Sequence, residues 1–231
     1  MELARQSALI IGAGGLGGPA LLVLAAGGVG RLVVIDDDAV ETSNLNRQPL
    51  FGEDDLGQRK AGAAAARLLA LHPGLQVDRI DRRFEASGAE ALVRSVDVVV
   101  DGSDNFATKF LASDVATRCG KPLVHGGVLR TTAQVLTVMP GLTGCLRCLF
   151  EAPPAPGQVP STAEAGIVGA LAGTAGALMG AEALRLLRGE RGAYAGRMLV
   201  YEARSGRSRL VLVRRRSGCP ACAAAQPAAV S

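Results

Sequence analysis

The feature that most constrains the fold is a glycine-rich turn, Gly12-Ala13-Gly14-Gly15-Leu16-Gly17, which lies between two apolar runs. The pattern predicts a strand over Ser7–Ile11 before the turn and a helix over Gly17–Ala26 after it. A second predicted strand, Arg31–Ile35, ends at Asp36. A strand, a glycine turn, a helix, a strand and an acid in this order predict the opening of a right-handed βαβ unit.

The same turn is typical of a nucleotide-binding site. Glycines let a backbone approach phosphates closely, and a helix N-terminus offers free N–H donors, so Gly12 and Gly14 are predicted to bind phosphates. Asp36, at the end of the second strand, is predicted to accept hydrogen bonds from ribose hydroxyls. A turn needed only for close packing of the helix on the strand is the alternative, and the motif does not identify the nucleotide.

The alternation of strands and helices continues along the chain and ends near residue 130. The sequence predicts helices over 59–71, 88–94 and 106–118, with strands over 76–80 and 96–100 and one starting at 122. Beyond them it predicts an antiparallel strand over 132–139, a proline-rich loop, a long Ala/Gly helix to about 187, and strands over 197–203 and 209–213 joined by a turn at 205–207. These elements predict an α/β class, with a Rossmann-like mixed sheet that is parallel in its N-terminal part, antiparallel in its C-terminal strands and covered by helices on both faces.

The elements are predicted to form a single domain over residues 1–222. Its nucleotide-binding half covers 1–130 and its second half 131–222, and an Ala/Pro tail over 223–231 is predicted to be disordered. The net charge of +4 and the 3% of aromatic residues argue against a nucleic-acid interface. Residues 165–181 lack charge but fall just under the length of a span, so a buried helix is expected rather than a membrane segment. The first seven residues carry no apolar signal region, which predicts a cytoplasmic protein.

Four polar positions distinguish ATP from a nicotinamide cofactor. Expelling pyrophosphate from ATP spreads negative charge that fixed cations stabilise, whereas a cofactor that is not cleaved needs fewer of them. Arg47 and Lys60 supply such cations, and Asn44 precedes them in the same polar stretch. Asp104 follows a buried strand, where a carboxylate suits Mg²⁺ carried by ATP. A nicotinamide-dependent oxidoreductase, supported by the glycine turn and Asp36, is the alternative function.

The five cysteines include two C-x-x-C pairs, Cys145 with Cys148 and Cys219 with Cys222. Because reducing compartments disfavour disulfides, these pairs predict a tetrahedral four-cysteine zinc site. No further ligand is suggested, so the zinc is predicted to be structural and to fix the C-terminal segment to the middle of the chain. Redox-active pairs are the alternative. Cys119 stands alone and is predicted to be a small buried hydrophobic residue.

In order along the chain, these motifs resemble the bacterial ThiF/MoeB/HesA family, relatives of the adenylation domain of ubiquitin-activating enzymes. The resemblance runs from about Leu9 to Cys222. Its matching stretches are G-A-G-G-L-G, D-D-D-A-V-E-T-S-N-L-N-R-Q at 36–48, G-Q-R-K at 57–60, D-G-S-D-N at 101–105, E-A-G at 164–166 and both cysteine pairs.

The resemblance implies an adenylyltransferase that acts on the C-terminal glycine of a ubiquitin-like sulfur carrier protein ending in Gly-Gly. It implies a homodimer and a sulfur donor, such as a cysteine desulfurase or a rhodanese-type protein, in thiamine or molybdenum-cofactor synthesis. The ATP site it implies consists of Gly15, Asp36, Ser43, Asn44, Arg47, Lys60 and Asp104, the last at the magnesium, with Asn105 beside it.

Two departures from the family pattern bear on the chemistry. Many members carry a cysteine two positions before the glutamate of E-A-G, and here that position is Thr162. A hydroxyl is a poor substitute for a thiolate, so no covalent enzyme–carrier intermediate is expected there. Members also usually begin with a helix whose arginine reaches the partner subunit's ATP. Only a few residues precede the first strand here, so this arginine is expected to be missing. Either the start at Met1 is late, or Arg5 or another cation substitutes, or activity is reduced. A non-catalytic family member that keeps the zinc site is a further alternative.

Overall fold

The computed structural model describes residues 3–155, 157–159 and 165–223. It contains an eight-stranded sheet whose strand order is β3-β2-β1-β4-β5-β6-β7-β8. The strands are β1 Ser7–Ile11, β2 Arg31–Ile35, β3 Gln76–Ile80, β4 Val98–Asp101, β5 Leu123–Leu129, β6 Thr132–Val138, β7 Arg197–Glu202 and β8 Arg207–Leu212.

The first five strands form the parallel part of the sheet. β1 pairs in parallel with both β2 and β4, β2 pairs with β3, and β4 pairs with β5. The apolar runs of β1, β2 and β4 are buried almost throughout, as expected for strands covered on both faces. Because β1 lies between β2 and β4, the chain reverses its direction of winding there, and ligands bind at such switch points in open α/β sheets.

The last three strands are antiparallel, which confirms the predicted mixed sheet. β5 and β6 form a hairpin, β6 pairs with β7, and β7 pairs with β8. The hairpin turns at Arg130, which has a positive φ of 53°. The sheet thus changes from parallel to antiparallel at β5, one strand away from the switch point.

Among the described residues, the α-helices that cover the sheet are α1 Gly17–Ala26, α2 Lys60–Leu71, α3 Ala86–Arg94, α4 Phe106–Arg118, α5 Leu146–Leu149 and α6 Gly169–Leu187. α1, α2 and α6 share one apolar cluster with alternate residues of the strands, including Ala8 and Ile10. α3 and α4 share the second cluster, which includes Leu9 and Ile11. The helices therefore lie on both faces of the sheet, as predicted.

α6 is the described helix that is long and apolar enough to cross a membrane by length and composition, with a mean hydropathy of 1.2. Half of its apolar window is buried in the protein. A Cβ at Gly176 would lie 2.2 Å from the carbonyl oxygen of Leu16, and one at Gly180 would lie 2.7 Å from Cβ of Val23. Its small residues are therefore explained by close packing on α1, in agreement with the predicted buried helix.

Several strands begin at residues other than those predicted. β4 begins at Val98 instead of Val96, because the carboxylate of Asp97 turns back to accept hydrogen bonds from the backbone N–H and the hydroxyl of Ser7. β8 begins at Arg207 instead of Arg209, since the turn at Gly206 leaves residues 207 and 208 free to pair with β7. The tail over 224–231 lies outside the described residues, and the division into halves stays a prediction.

Candidate functional site

A cavity opens at the carboxyl ends of β1, β2 and β4, at the switch point of the sheet. Its lining includes four of the predicted site residues, Gly12, Asp36, Asp104 and Asn105. A second cavity of about 250 Å³ adjoins it and shares Arg83, Phe84, Asn105 and Thr108 with it. The sequence analysis did not single out Arg83 and Phe84, although they follow β3 at the same edge of the sheet.

The glycine turn combines a packing role with an open surface. Gly12 has a φ of 85°, and a Cβ at Gly17 would lie 1.7 Å from the carbonyl oxygen of Gly12. A Cβ at Gly102, in the turn after β4, would lie 2.8 Å from the backbone nitrogen of Gly17. Gly14 is under less constraint, because a Cβ there would approach only the amide of Gln48, at 3.3 Å. The packing interpretation thus explains Gly12 and Gly17 but not Gly14.

Asp36 joins the end of β2 to the glycine turn. Its Oδ2 accepts a hydrogen bond from the backbone N–H of Ala13 at 2.7 Å, and its Oδ1 accepts one from the N–H of Asp38 at 2.9 Å. Burial raises the pKa of Asp36 above its ordinary value, against the lowering effect of both backbone hydrogen bonds. The carboxylate is held at the cavity wall, in a position to accept hydroxyl donors.

The segment from Ser43 to Gln48 packs against the glycine turn. A Cβ at Gly15 would lie 3.2 Å from the carbonyl oxygen of Arg47, and the Arg47 guanidinium donates to the carbonyl of Ser43 at 2.6 Å. Asn44 donates to the hydroxyl of Ser43 at 3.3 Å. Among the described residues, the buried side-chain oxygens of Asn44 and Gln48 have no hydrogen-bond partner. Unpartnered buried acceptors indicate a place where a further donor fits.

Lys60 lies at the start of α2 with its side chain 7% exposed. Its Nζ lies 2.8 Å from Oδ2 of Asp38, a residue that lines the cavity. The attraction of Lys60 also lowers the pKa of Asp36, although burial of Asp36 outweighs it. The lysine therefore lies at the cavity border, next to the carboxylates that end β2.

Asp104 and Asn105 follow β4. Asp104 presents an exposed carboxylate to the cavity. Asn105 is the N-cap of α4, and its side-chain oxygen accepts a hydrogen bond from the N–H of Thr108 at 2.9 Å. That oxygen is thus committed to the helix cap, so the predicted ligand role of Asn105 falls to its remaining side-chain atoms.

A buried charged cluster that the sequence analysis missed lies beside this turn. Asp101 is fully buried, and its carboxylate accepts hydrogen bonds from Nδ1 of His125 at 2.8 Å and from the hydroxyl of Ser103 at 2.6 Å. Nζ of Lys109 lies 3.6 Å from the same carboxylate and donates to the carbonyl of Gly126 at 2.6 Å. Burial alone would raise the pKa of Asp101, but Lys109, His125 and Ser103 outweigh it and hold the pKa well below its ordinary range.

The four cysteines of the two pairs lie close together, on the face of the sheet that α3 and α4 cover. The Sγ atoms are 3.6 Å apart for Cys145 and Cys219, 3.4 Å for Cys148 and Cys222, and 3.9 Å for Cys145 and Cys148. Thiolates around a tetrahedral zinc, with Zn–S bonds of about 2.3 Å, stand about 3.8 Å apart. Burial raises the pKa of Cys145, so ionised thiolates here call for a cation. The donor set fits zinc.

The remaining predictions concern Cys119 and the loop residues Thr162 and Glu164. Cys119 is partly exposed, at the end of α4, so the prediction of a buried residue was wrong. It lies at the helix C-cap, one residue before Gly120 turns the chain with a φ of 69°. Thr162 and Glu164 lie outside the described residues.

Comparison with known proteins identifies the family to which this arrangement belongs. The ThiF family model matches residues 1–221. The chain belongs to the ThiF family. This ThiF-family protein is 46% identical to a sulfur carrier protein adenylyltransferase of Thermus thermophilus, over 96% of this chain and 83% of the relative. It is 44% identical to a SAMP-activating enzyme E1 of Haloferax volcanii, over 96% of this chain and 82% of the relative.

Solved structures match the fold of this ThiF-family protein. Escherichia coli MccB in the presence of ATP superposes with a TM-score of 0.82 at 22% identity, over 96% of this chain and 67% of that chain. MccB with MccA-N7isoASN gives a TM-score of 0.84 at 22% identity, over 96% and 68% of the two chains. These matches establish the shared fold.

Proposed function

We propose that this ThiF-family protein is an ATP-dependent adenylyltransferase that acts on the C-terminal glycine of a ubiquitin-like sulfur carrier protein. The observation that carries the proposal is the meeting of Asp36, Asp104 and the glycine turn in one cavity, with Lys60 at its border. The printed activity of the Thermus thermophilus relative supports it. We expect the product to enter thiamine or molybdenum-cofactor synthesis after a cysteine desulfurase or rhodanese-type protein supplies sulfur.

In the proposed reaction, a carboxylate oxygen of the carrier's last glycine attacks the α-phosphorus of ATP. The bond between the α-phosphorus and the oxygen that bridges it to the β-phosphorus breaks, that oxygen leaves with pyrophosphate, and the products are an acyl-adenylate and pyrophosphate. The N–H groups at the start of α1 and the cations Arg47 and Lys60 would stabilise the charge that develops on the phosphates. Asp36 would hold the ribose hydroxyls, beside Gly12, Gly14 and Gly15.

Asp104 is proposed to hold the magnesium ion that ATP carries. Its carboxylate is exposed to the cavity, and carboxylate oxygen is a ligand that Mg²⁺ prefers. Asp37 and Asp38 offer further carboxylates within 4.8 Å of Asp36. The ion supplies charge neutralisation to the phosphates when bound.

The four-cysteine cluster is proposed to hold a structural zinc ion. Cys145 is the N-cap of α5 and Cys148 lies within that helix, whereas Cys219 and Cys222 follow β8. A shared ion would therefore tie the segment after the last strand to the middle of the chain. A cytoplasmic location and a homodimer complete the proposal. Since position 162 is threonine, the adenylate is expected to react without a covalent carrier intermediate at that residue.

The test is ATP–pyrophosphate exchange with purified ubiquitin-like sulfur carriers of Thermus thermophilus that end in Gly-Gly. We expect exchange only when a carrier is present, and a loss of about a hundredfold in Asp104→Ala or Arg47→Ala. Asp54→Ala is the matched control, because Asp54 is an exposed acid in a different loop. Wild-type exchange rates in both site variants, or binding of NAD that ATP does not displace, would contradict the proposal.

A further inference from the structure

We propose that His125 and Asp101 form a general-base dyad for the step that consumes the acyl-adenylate, in which the S–H group of a sulfur donor displaces AMP. Nε2 of His125 takes the proton of this thiol as its sulfur attacks the acyl carbon. The inference rests on the proposed function, because it assigns residues to the reaction that follows adenylation.

The adenylation step itself needs no base from the protein. Its nucleophile is a carboxylate, which is already ionised at pH 7, and no proton moves when pyrophosphate leaves. A thiol with an ordinary pKa is only a few per cent ionised at pH 7, so its attack gains from a group that removes the proton. A base beside the cavity therefore suits the second step and has no task in the first.

Asp101 holds the ring of His125 in the form that a base requires. Oδ2 of the fully buried Asp101 lies 2.8 Å from Nδ1 of the ring, so Nδ1 carries the proton and Nε2 keeps a free lone pair. A carboxylate on Nδ1 also stabilises the imidazolium that forms when Nε2 takes a proton. The pair thus combines a base with the acid that orients it, as in sites that activate a nucleophile.

Nε2 of His125 is open to an incoming group. Among the described residues it has no hydrogen-bond partner, and it is not one of the buried polar atoms that lack one. The side chain is 13% exposed, so this nitrogen meets solvent. Gly127 lies two residues farther along β5 on the same side of the sheet, and a Cβ there would meet no atom within 4 Å. A thiol therefore has room to approach the ring.

Asp101 also links the ring to the nucleotide cavity. Its Oδ1 accepts the N–H of Ser103 at 3.0 Å and the hydroxyl of Ser103 at 2.6 Å, and Ser103 lines the cavity. A Cβ at Gly12 would lie 3.2 Å from the backbone of Gly102, so the turn after β4 touches the turn proposed to bind phosphates. His125 pairs with Asp101 on the neighbouring strand and so lies next to this contact.

The proposed step is a substitution at the acyl carbon. The sulfur forms a bond to that carbon and gives its proton to Nε2 of His125. The bond between the carbon and the phosphate oxygen of AMP breaks, and AMP leaves with the oxygen and its electron pair. The imidazolium then releases the proton to solvent, which restores the neutral ring, and no outside oxidant or reductant is needed.

The charges around the ring keep it ready to accept a proton. The charged groups that face it are Asp101 from β4 and Lys109 from α4, and the residue opposite it on β6 is the apolar Leu136. Burial and the charge of Lys109 lower the pKa of His125, against the raising effect of Asp101. The ring is therefore neutral at pH 7, and its base form is present when the thiol arrives.

The first experiment replaces His125 with Asn, which keeps a side-chain N–H for Asp101 but removes Nε2. Release of AMP from the carrier adenylate is measured with pyrophosphatase present and with dithiothreitol, a thiol mostly protonated at pH 7, as the nucleophile. We expect the dithiothreitol-dependent rate to fall about a hundredfold, whereas ATP–pyrophosphate exchange falls less than about threefold. His72→Asn, at the other of the two histidines, is the control for both rates. An unchanged rate of AMP release, or an equal fall in both rates, would overturn the assignment.

The second experiment varies the ionisation of the thiol, to which a merely structural defect is insensitive. With 5-thio-2-nitrobenzoate, which is already ionised at pH 7, the AMP release of His125→Asn should lie within about threefold of the wild-type rate. With dithiothreitol, the variant rate should rise about tenfold from pH 7 to pH 8 as the thiolate forms, and the wild-type rate less than about threefold.

The two assays separate this inference from the adenylation on which it rests. The same defect with both thiols, or parallel pH profiles for wild type and variant, overturns the base role and leaves the adenylation intact. A wild-type protein that catalyses no carrier-dependent exchange contradicts the adenylation, and the dyad is then overturned with it.

Discussion

One side-chain oxygen of Asp36 accepts the backbone N–H of Ala13 at 2.7 Å, which joins the end of β2 to the glycine turn after β1. Two of the loops that line the cavity are therefore joined by a single carboxylate. The same group is the proposed ribose ligand, so the residue proposed to bind the ribose also positions the turn proposed to bind the phosphates.

The glycines of the turn should separate into two classes on substitution. Gly17→Ala places a Cβ 1.7 Å from the carbonyl of Gly12, so we expect a loss of about 3 kcal/mol or more in the free energy of unfolding. Gly14→Ala meets only the Gln48 amide at 3.3 Å and should fold, with an ATP KM raised about tenfold. Thermal unfolding and exchange kinetics measure the two effects. A Gly17→Ala protein with a wild-type Tm would contradict the packing role.

Lys60→Met should impair the reaction more than the fold. Its ion-pair partner Asp38 is 65% exposed and stays solvated when the lysine is removed, so we expect little change in Tm. Loss of a fixed cation near the phosphates should lower kcat of exchange by about a hundredfold. Lys121→Met, at a lysine just after α4, is the control. Equal rates in the two variants would remove Lys60 from the proposed site.

Zinc content should follow the four clustered cysteines and not the fifth. We expect about one zinc ion per chain by elemental analysis, and a loss of zinc with a fall of about 10 °C in Tm in Cys222→Ser. Cys119→Ser is the matched control, because Cys119 lies outside the cluster. Zinc retained at the wild-type level in Cys222→Ser would refute the ligand assignment.

Asp101 should make the protein sensitive to acid. Because its pKa is held below the ordinary range, its contribution to stability is present above about pH 3.9 and is lost as the pH falls further. Asp101→Asn should cost about 3 kcal/mol at pH 7, since it leaves Lys109 buried without its carboxylate.

Urea unfolding between pH 4 and pH 3 measures the acid sensitivity. The wild type should lose about 1 kcal/mol more than Asp101→Asn over this unit of pH. Parallel pH profiles for the two proteins would show that another group is responsible.

The centre of the parallel half was predictable because β1, β2 and β4 are buried on both faces and form continuous apolar runs in the sequence. β1 and β2 have the predicted ends, Ser7–Ile11 and Arg31–Ile35. The start of β4 was predicted at Val96 instead of Val98, because an apolar residue in a buried turn resembles a strand residue in the sequence. The start of β8 was missed because its residues are mostly exposed and carry no apolar alternation.

The sequence predicted which side chains line the cavity where a polar residue follows a strand end, as at Asp36 and Asp104; their binding roles stay predictions. The Asp101, Lys109 and His125 cluster was not, since its members come from three elements that only the folded sheet brings together. Asp101 also reads as part of the apolar strand that it ends. Only the folded structure shows that the ring of His125 is hydrogen-bonded to Asp101.

α6 connects the segment from Ser43 to Gln48 to a distant loop that carries Ala193 and Tyr194. Its first residue, Gly169, packs on Asn46 and Arg47, and about 20 Å along its axis Glu182 accepts hydrogen bonds from the N–H groups of Ala193 and Tyr194. The chain has no tryptophan, and Tyr194 is one of its two tyrosines. We therefore expect the tyrosine fluorescence of the unlabelled protein to respond if α6 is displaced, because Glu182 on this helix holds the loop that carries Tyr194.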